Sequence, residues 1–273
     1  MTPAWLTVVE GKAPLIISLP HTGTELPPGF EEKFVSPWLA RKDADWWIEQ
    51  LYDCAQGMGV TLVRTALSRS IIDVNRDPSG VSLYPGQATT ELCPSTTFDG
   101  EPLYNQGMAP DAAQIALRRE AYFEPYHAEL QAQIARLRQH HPHVVLYDCH
   151  SIRSVIPRLF EGELPHLNIG TNSGQSCAPA LAASIDKLCA ASSFSHVLNG
   201  RFKGGYITRQ HGNPAEGIHT VQMELACRGY MREPEKLDAS TWPTPYDPAY
   251  AAPMRELLLT ILKACLDFTQ TSP

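Results

Sequence analysis

No Cys-x-x-C pair, no run of Lys and Arg, no long apolar stretch and no low-complexity tract occurs in these 273 residues. Each absence removes a class of protein. The seven cysteines (Cys54, Cys93, Cys149, Cys177, Cys189, Cys227 and Cys265) are odd in number. They suit neither a disulfide framework nor a thiolate zinc site, and predict reduced, mostly buried thiols. Lys+Arg number 22 against 29 Asp+Glu, a net charge of −7. That balance argues against nucleic acid or an anionic membrane as partner. The longest clean apolar stretch, Leu15-Ile16-Ile17, is far too short to span a bilayer. The start Met1-Thr2-Pro3-Ala4-Trp5 has no charged segment leading into an apolar one, so a cytoplasmic protein without an export signal is expected. Oligomeric state stays open.

The composition that remains, 43% hydrophobic and 19% charged, is globular. Short β-branched runs bounded by Gly, Pro or His predict strands at Leu15–Leu19, Val60–Val63, Val144–Tyr147, Leu167–Thr171 and Thr220–Leu225. Helical patterns fall between them. Residues 37–56 carry Leu39, Trp46, Trp47, Leu51 and Tyr52. Residues 111–139 start at Asp111 as N-cap, show a stripe of Tyr126, Leu130, Ile134 and Leu137, and are divided by Pro125. Residues 178–191 form a further helix, and residues 253–268 the last, with Pro253 in its first turn. The alternation predicts an α/β fold, and no linker divides it. Ligands in such sheets bind at the carboxyl ends of strands. The long polar stretch Asp77–Pro110, with Tyr84 and Tyr104, reads as a functional loop able to close over a site.

Chemistry is therefore sought at strand ends. Pro20-His21-Thr22-Gly23 ends the first predicted strand, and Asp148-Cys149-His150-Ser151 the third. A lone histidine is more often a hydrogen-bonded core residue than a ligand. Two of them at strand ends, one flanked by an acid, shift the balance toward Zn²⁺, whose catalytic sites take three protein ligands and leave one position for water. A carboxylate would complete a His₂–carboxylate set, from Asp43 or Asp45 in Asp43-Ala44-Asp45-Trp46-Trp47, or from Glu25. Asp148 lies two residues from His150 and suits orientation of that ring rather than ligation. Ser68-Arg69-Ser70 and Asp73-Val74-Asn75-Arg76-Asp77 follow the second strand, and an Arg beside an Asn can receive a carboxylate. Gly204-Gly205-Tyr206-Ile207-Thr208-Arg209-Gln210-His211-Gly212 reads as a substrate loop or a plain hairpin. Glu224, set among Val221, Met223 and Leu225, is a carboxylate whose burial would raise its pKa toward that of a general base. Cys149 adjoins His150, but neighbours along a strand face opposite ways, which argues against a cysteine hydrolase.

In order across residues 14–232, these segments resemble the N-formylglutamate amidohydrolase family. The resemblance implies a single domain over residues 1–273 with a mixed central β-sheet flanked by helices, related to the zinc carboxypeptidases (phosphorylase/hydrolase-like). It also implies one catalytic Zn²⁺ on His21, Asp45 and His150, with Glu224 as catalytic glutamate. Asn75-Arg76 would receive the substrate α-carboxylate, with Arg69, Tyr206 and Arg209 assisting. The chain departs from the carboxypeptidase pattern at Thr24, where an acidic ligand would stand, and His211 follows Gln210 where the family's His-Tyr-Gly would run. The activity implied is hydrolysis of N-formyl-L-glutamate, an acidic N-acyl amino acid, to formate and L-glutamate in histidine degradation. The alternatives are a related zinc deacylase of another N-acyl amino acid and a non-catalytic protein that binds an acidic ligand.

Overall fold

The computed structural model describes residues 3–82, 86 and 88–271. Seven strands form one sheet: β1 (Leu6–Val9), β2 (Leu15–Leu19), β3 (Thr61–Thr65), β4 (Val144–Ile152), β5 (Leu167–Gly170), β6 (His196–Leu198) and β7 (Ile218–Ala226). Their order is β1-β3-β2-β4-β7-β5-β6. The neighbours β3–β2, β2–β4, β4–β7 and β5–β6 are parallel, while β1–β3 and β5–β7 are antiparallel. The sheet is thus mixed, and β2, β3, β4 and β7 bring their carboxyl ends to one edge.

Both faces of the sheet are covered, and period-2 patterning explains how one face becomes a site. On one face, Leu15, Ile17 and Leu19 of β2, Val145, Tyr147 and Cys149 of β4, and Val221, Met223 and Leu225 of β7 are buried. They pack against the helices α4 (Pro179–Ala190) and α6 (Pro248–Thr271). On the other face, Ile16, Val144 and Leu146 are covered by Tyr126, Leu130, Ile134 and Leu137 of α3 (Glu124–Arg138). This second face changes character toward the carboxyl ends. There Ser18 stands opposite Asp148, Asp148 opposite Gln222, and His150 opposite Glu224. Every one of these polar side chains is buried. The apolar half of α3 holds the sheet together, each fully buried side chain contributing about 1.5–3 kcal/mol.

Several elements differ from the sequence reading. Residues 37–56 form no continuous helix. A 3₁₀ turn at Leu39–Arg41 is parted from the four-residue helix α1 (Ile48–Leu51) by Trp47 in a left-handed conformation, φ 65°, and α1 tightens directly into a 3₁₀ stretch at Tyr52–Met58. Asp111 caps α2 (Ala112–Arg118) by accepting from Gln114 N–H at 2.8 Å. A π-helical turn, Arg119–Phe123, then joins α2 to α3 immediately before Pro125, where the proline ring conflicts with the carbonyl four residues back. The last helix starts at Pro248, not Pro253, because Asp247 Oδ1 accepts from the N–H groups of Ala249 and Tyr250. The glycine segment after Lys203 is neither loop nor hairpin at its end: it folds into helix α5 (Tyr206–His211). The short edge strands β1 and β6 escape the sequence pattern. All seven thiols are free. No helix among the described residues is long and apolar enough to cross a membrane.

Candidate active site

His21 lies two residues beyond β2, and its carbonyl accepts Asp45 N–H at 2.9 Å, which draws the Asp45 segment over the sheet edge. The result is a tight triangle of buried atoms. His150 Nδ1 lies 3.1 Å from His21 Nδ1 and 3.2 Å from Asp45 Oδ2, and His21 Nδ1 lies 3.7 Å from Asp45 Oδ2. Ligands at three corners of a tetrahedron around a zinc ion, each roughly 2.0–2.2 Å from it, stand about 3.3 Å apart. The three atoms fit that figure. Among the described residues, this is the one trio of His, Cys, Asp or Glu drawn together in this way.

The other ring nitrogens explain why these atoms face inward. His21 Nε2 lies 2.8 Å from Asp73 Oδ1, and His150 Nε2 lies 2.8 Å from Asp148 Oδ2. A carboxylate accepts only, so each ring in its neutral form carries its proton on Nε2 and turns the lone pair of Nδ1 toward the triangle. Three lone-pair atoms this close repel one another unless a positive charge lies among them. The donor set, the spacing and the two backing carboxylates together suit a divalent cation. The same field acts on the titratable groups. Burial disfavours the imidazolium of His150, but the charge and hydrogen bond of Asp148, with Asp45, outweigh it and raise the group well above the ordinary imidazole range. Burial would raise the Asp45 carboxyl, yet its hydrogen bonds with His150 and His21 prevail and hold it low. Asp73, also buried, is held well below the usual range by His21, Arg69 and Arg76.

The candidate acidic ligands are separated by the same geometry. Asp45 is fully buried and meets both histidines. Asp43 turns away: its Oδ2 accepts Phe98 N–H at 2.7 Å, and its Oδ1 lies 3.6 Å from Arg153. Glu25 is exposed and pairs through its backbone with Leu67. Asp148 takes the orienting place expected of it.

A cleft of about 570 Å³, its open mouth included, lies over His21 and His150. Glu224 lines it, buried at 7% exposure and hydrogen-bonded by Gln222 Nε2 at 3.2 Å. Burial, with Asp45 and Asp148 adding, raises its carboxyl from 4.5 to about 7, against the pull of His150 and Arg69. Three arginines line the cleft: Arg69, Arg76 and Arg201. Arg69 is tied to Asp73 at 2.7 Å and Asp45 at 3.4 Å and stacks on Phe98, so its charge serves the carboxylates below the cleft. Arg76 reaches Asp73 Oδ2 at 3.3 Å and Thr90 Oγ1 at 3.1 Å. Arg201, which the sequence reading passes over, is anchored on the carbonyls of Leu159 and Ala88. Its one available signal was its place just before Phe202-Lys203-Gly204-Gly205.

Asn75 also lines the cleft, but its amide is already engaged. Its Oδ1 accepts Ile207 N–H at 2.8 Å, and its Nδ2, 3.0 Å from His150 Nε2, donates at 3.5 Å to Asp148 Oδ2 and to Gln222 Oε1. Gly205 permits this contact, because a Cβ there would come 2.4 Å from the Asn75 amide. Tyr206 and Arg209 are not among the cleft residues. Tyr206 packs on Phe123 and His127, and Arg209 Nε donates to Gly204 O. The cause is α5, whose helical turns spread side chains that an extended loop would have kept together. Tyr104 is no lid: it is buried, stacked on Phe34 and hydrogen-bonded to Ser70 O. Tyr84 lies outside the described residues. The Asp77–Pro110 stretch still contributes Ala88, Thr89, Thr90 and Phe98 to the cleft. Cys149 points into the apolar face opposite His150, and burial raises its thiol well above the ordinary range.

Known proteins resemble the chain over most of its length. The chain is 44% identical over 262 residues to the N-formylglutamate deformylase of Pseudomonas putida, covering 96% of this chain and 95% of that one. It is 46% identical over 229 residues to the protein of the same name from Pseudomonas aeruginosa, covering 84% and 86%. Its fold matches the crystal structure of an N-formylglutamate amidohydrolase from Ralstonia eutropha JMP134, with a TM-score of 0.79 at 23% identity over 98% and 99% of the two chains. The family model of N-formylglutamate amidohydrolase matches residues 13–231. With the match spanning most of its length, the chain belongs to the N-formylglutamate amidohydrolase family, hydrolases acting on an amide.

Proposed function

We propose that this protein hydrolyses N-formyl-L-glutamate to formate and L-glutamate, using one divalent cation, zinc by its donor set, on His21, Asp45 and His150. The observation that carries the reading is the inward-facing His–Asp–His triangle beside a buried glutamate whose carboxyl sits near neutrality. The substrate comes from the names of the relatives. When bound, such a cation polarises the formyl oxygen and makes water a stronger acid.

The chain's own residues do the rest. Glu224 takes a proton from the attacking water as its oxygen bonds to the formyl carbon. It returns that proton to the nitrogen as the C–N bond breaks, so formate and the free amine leave balanced. A carboxyl near 7 suits both halves of this transfer. Asp73 and Asp148 keep the two imidazoles in one tautomer throughout. Arg76 and Arg201 supply positive charge for the substrate carboxylates, which an acidic protein needs locally because its overall field repels a dianion. Phe98, Ile152, Leu159 and Phe202 make the cleft walls apolar and limit water around the reacting amide. Histidine degradation is the setting we assign to the reaction.

Formate release tests the substrate directly. N-formylglutamate should turn over with kcat/KM at least tenfold above N-formylmethionine, which lacks the second carboxylate, and above N-acetylglutamate, whose acyl carbon carries a methyl group in place of hydrogen. Equal turnover of all three, or none of the first, contradicts the proposal.

A further inference from the structure

The turn Asp73–Arg76 carries three residues of the site. Asp73 backs His21, Asn75 touches His150, and Arg76 stands in the cleft. Its backbone carbonyls show how the turn is held. Asp73 O accepts Arg76 N–H at 3.2 Å, and Asn75 O accepts Tyr206 N–H at 3.3 Å. The carbonyl between them, Val74 O, is met by a side chain instead: His127 Nε2 of α3, at 2.8 Å. His127 Nδ1 in turn lies 2.9 Å from His211 Nε2 of α5, the two rings meeting edge to edge with their planes 11° apart and centroids 5.2 Å apart.

The direction of this chain is determined. A carbonyl only accepts, so His127 carries its proton on Nε2, its Nδ1 accepts, and His211 donates from Nε2. Phe123 and Tyr206 close around His127, at 4.3 and 5.1 Å between centroids. Burial lowers His127 to about 4 and His211 to about 3, so both rings are neutral at pH 7 and the polarity does not reverse. Neither histidine lines the cleft.

We infer that His127 is a positioning residue for substrate: through Val74 O it fixes Asn75 and Arg76, and His211 fixes the tautomer in which it does so. The inference rests on the amidohydrolase reading for what the cleft binds. Two small polar replacements separate it from a general packing role. In His127→Gln the side-chain amide reaches about as far as imidazole Nε2 and can still donate to Val74 O. In His127→Asn it reaches only the Nδ1 position. The expected result is a KM for N-formylglutamate within about threefold of wild type for His127→Gln and raised about tenfold for His127→Asn, with kcat and bound metal within threefold in both. His211→Phe keeps an aromatic ring in place and removes the donor to Nδ1, so its KM should rise less than that of His127→Asn. Equal KM values in the Gln and Asn variants overturn the inference, as does a loss seen in kcat or metal with KM unchanged, or a larger KM for His211→Phe. If wild type releases no formate from N-formylglutamate, the reading of the substrate fails, and the same split must then appear in the calorimetric Kd for L-glutamate.

Discussion

His21 and His150 bring ring nitrogens to 3.1 Å, and His127 and His211 bring theirs to 2.9 Å. The distances are alike and the surroundings opposite. Behind each ring of the first pair stands a buried carboxylate, Asp73 or Asp148, and a third, Asp45, faces both. Behind the second pair stand a backbone carbonyl and aromatic rings. His150 is accordingly pushed up, while His127 and His211 are pushed down by burial. A third pair, His143 and His219 at 3.0 Å, resembles the second: Ala178 N–H donates to His219 Nδ1, and burial lowers His219 to about 4. Contact between imidazoles thus says little by itself. The donor or acceptor behind each pair sets the tautomer, and the tautomer decides whether the pair forms a directional N–H···N bond or presents two lone pairs to a cation.

The comparison can be broken at several points. The largest effect should come from Glu224→Gln, which keeps the triangle and removes the proton carrier. Its kcat should fall about 10²- to 10⁴-fold with metal content unchanged, read by steady-state formate release and elemental analysis. A kcat within tenfold of wild type removes Glu224 as the base. The same variant should be the more stable protein in the presence of a chelator. Glu224 titrates at 4.5 in the unfolded chain and about 7 when folded, so the folded state holds the extra proton between those values. Stability is therefore lost as pH rises through that window, and Gln escapes the loss. Urea unfolding at pH 5, 6, 7 and 8 should show a gap opening to about 3 kcal/mol at pH 8 and closing toward pH 4.5. A gap independent of pH would falsify the burial account of Glu224. The smallest of these effects should follow from Asp73→Asn and Asp148→Asn. Each amide can still meet a ring nitrogen but no longer compels the Nε2–H tautomer, so metal affinity should fall about 10- to 100-fold in competition titrations. Unaltered affinity in both would leave the carboxylates with a packing role alone.

Much of this was legible in the sequence, for identifiable reasons. Short β-branched runs located β2, β4 and β7, the strand-end rule led to His21 and His150, and the apolar neighbours of Glu224 singled it out. The choice of Asp45 over Asp43 and Glu25 came from the family resemblance and was not legible in spacing, because it turns on a backbone hydrogen bond from Asp45 to His21 and on Arg153 and Phe98 drawing Asp43 away. Asp73 stands 52 residues from the ring that it orients, and His127 stands 84 from His211. No local pattern encodes such pairings. Tyr206 and Arg209 were read as loop donors because a glycine pair hid a helix start. Arg201 was passed over because an arginine that lines a cleft looks, in sequence, like one on the surface.

The central claim is that a cation belongs in the triangle of His21, Asp45 and His150. Exhaustive dialysis against a chelator, followed by titration with Zn²⁺ while formate release is recorded, measures this most directly. The account predicts loss of activity on dialysis and recovery saturating at one equivalent of metal, with no metal retained by His150→Ala. Full activity in protein shown by elemental analysis to be metal-free would contradict it.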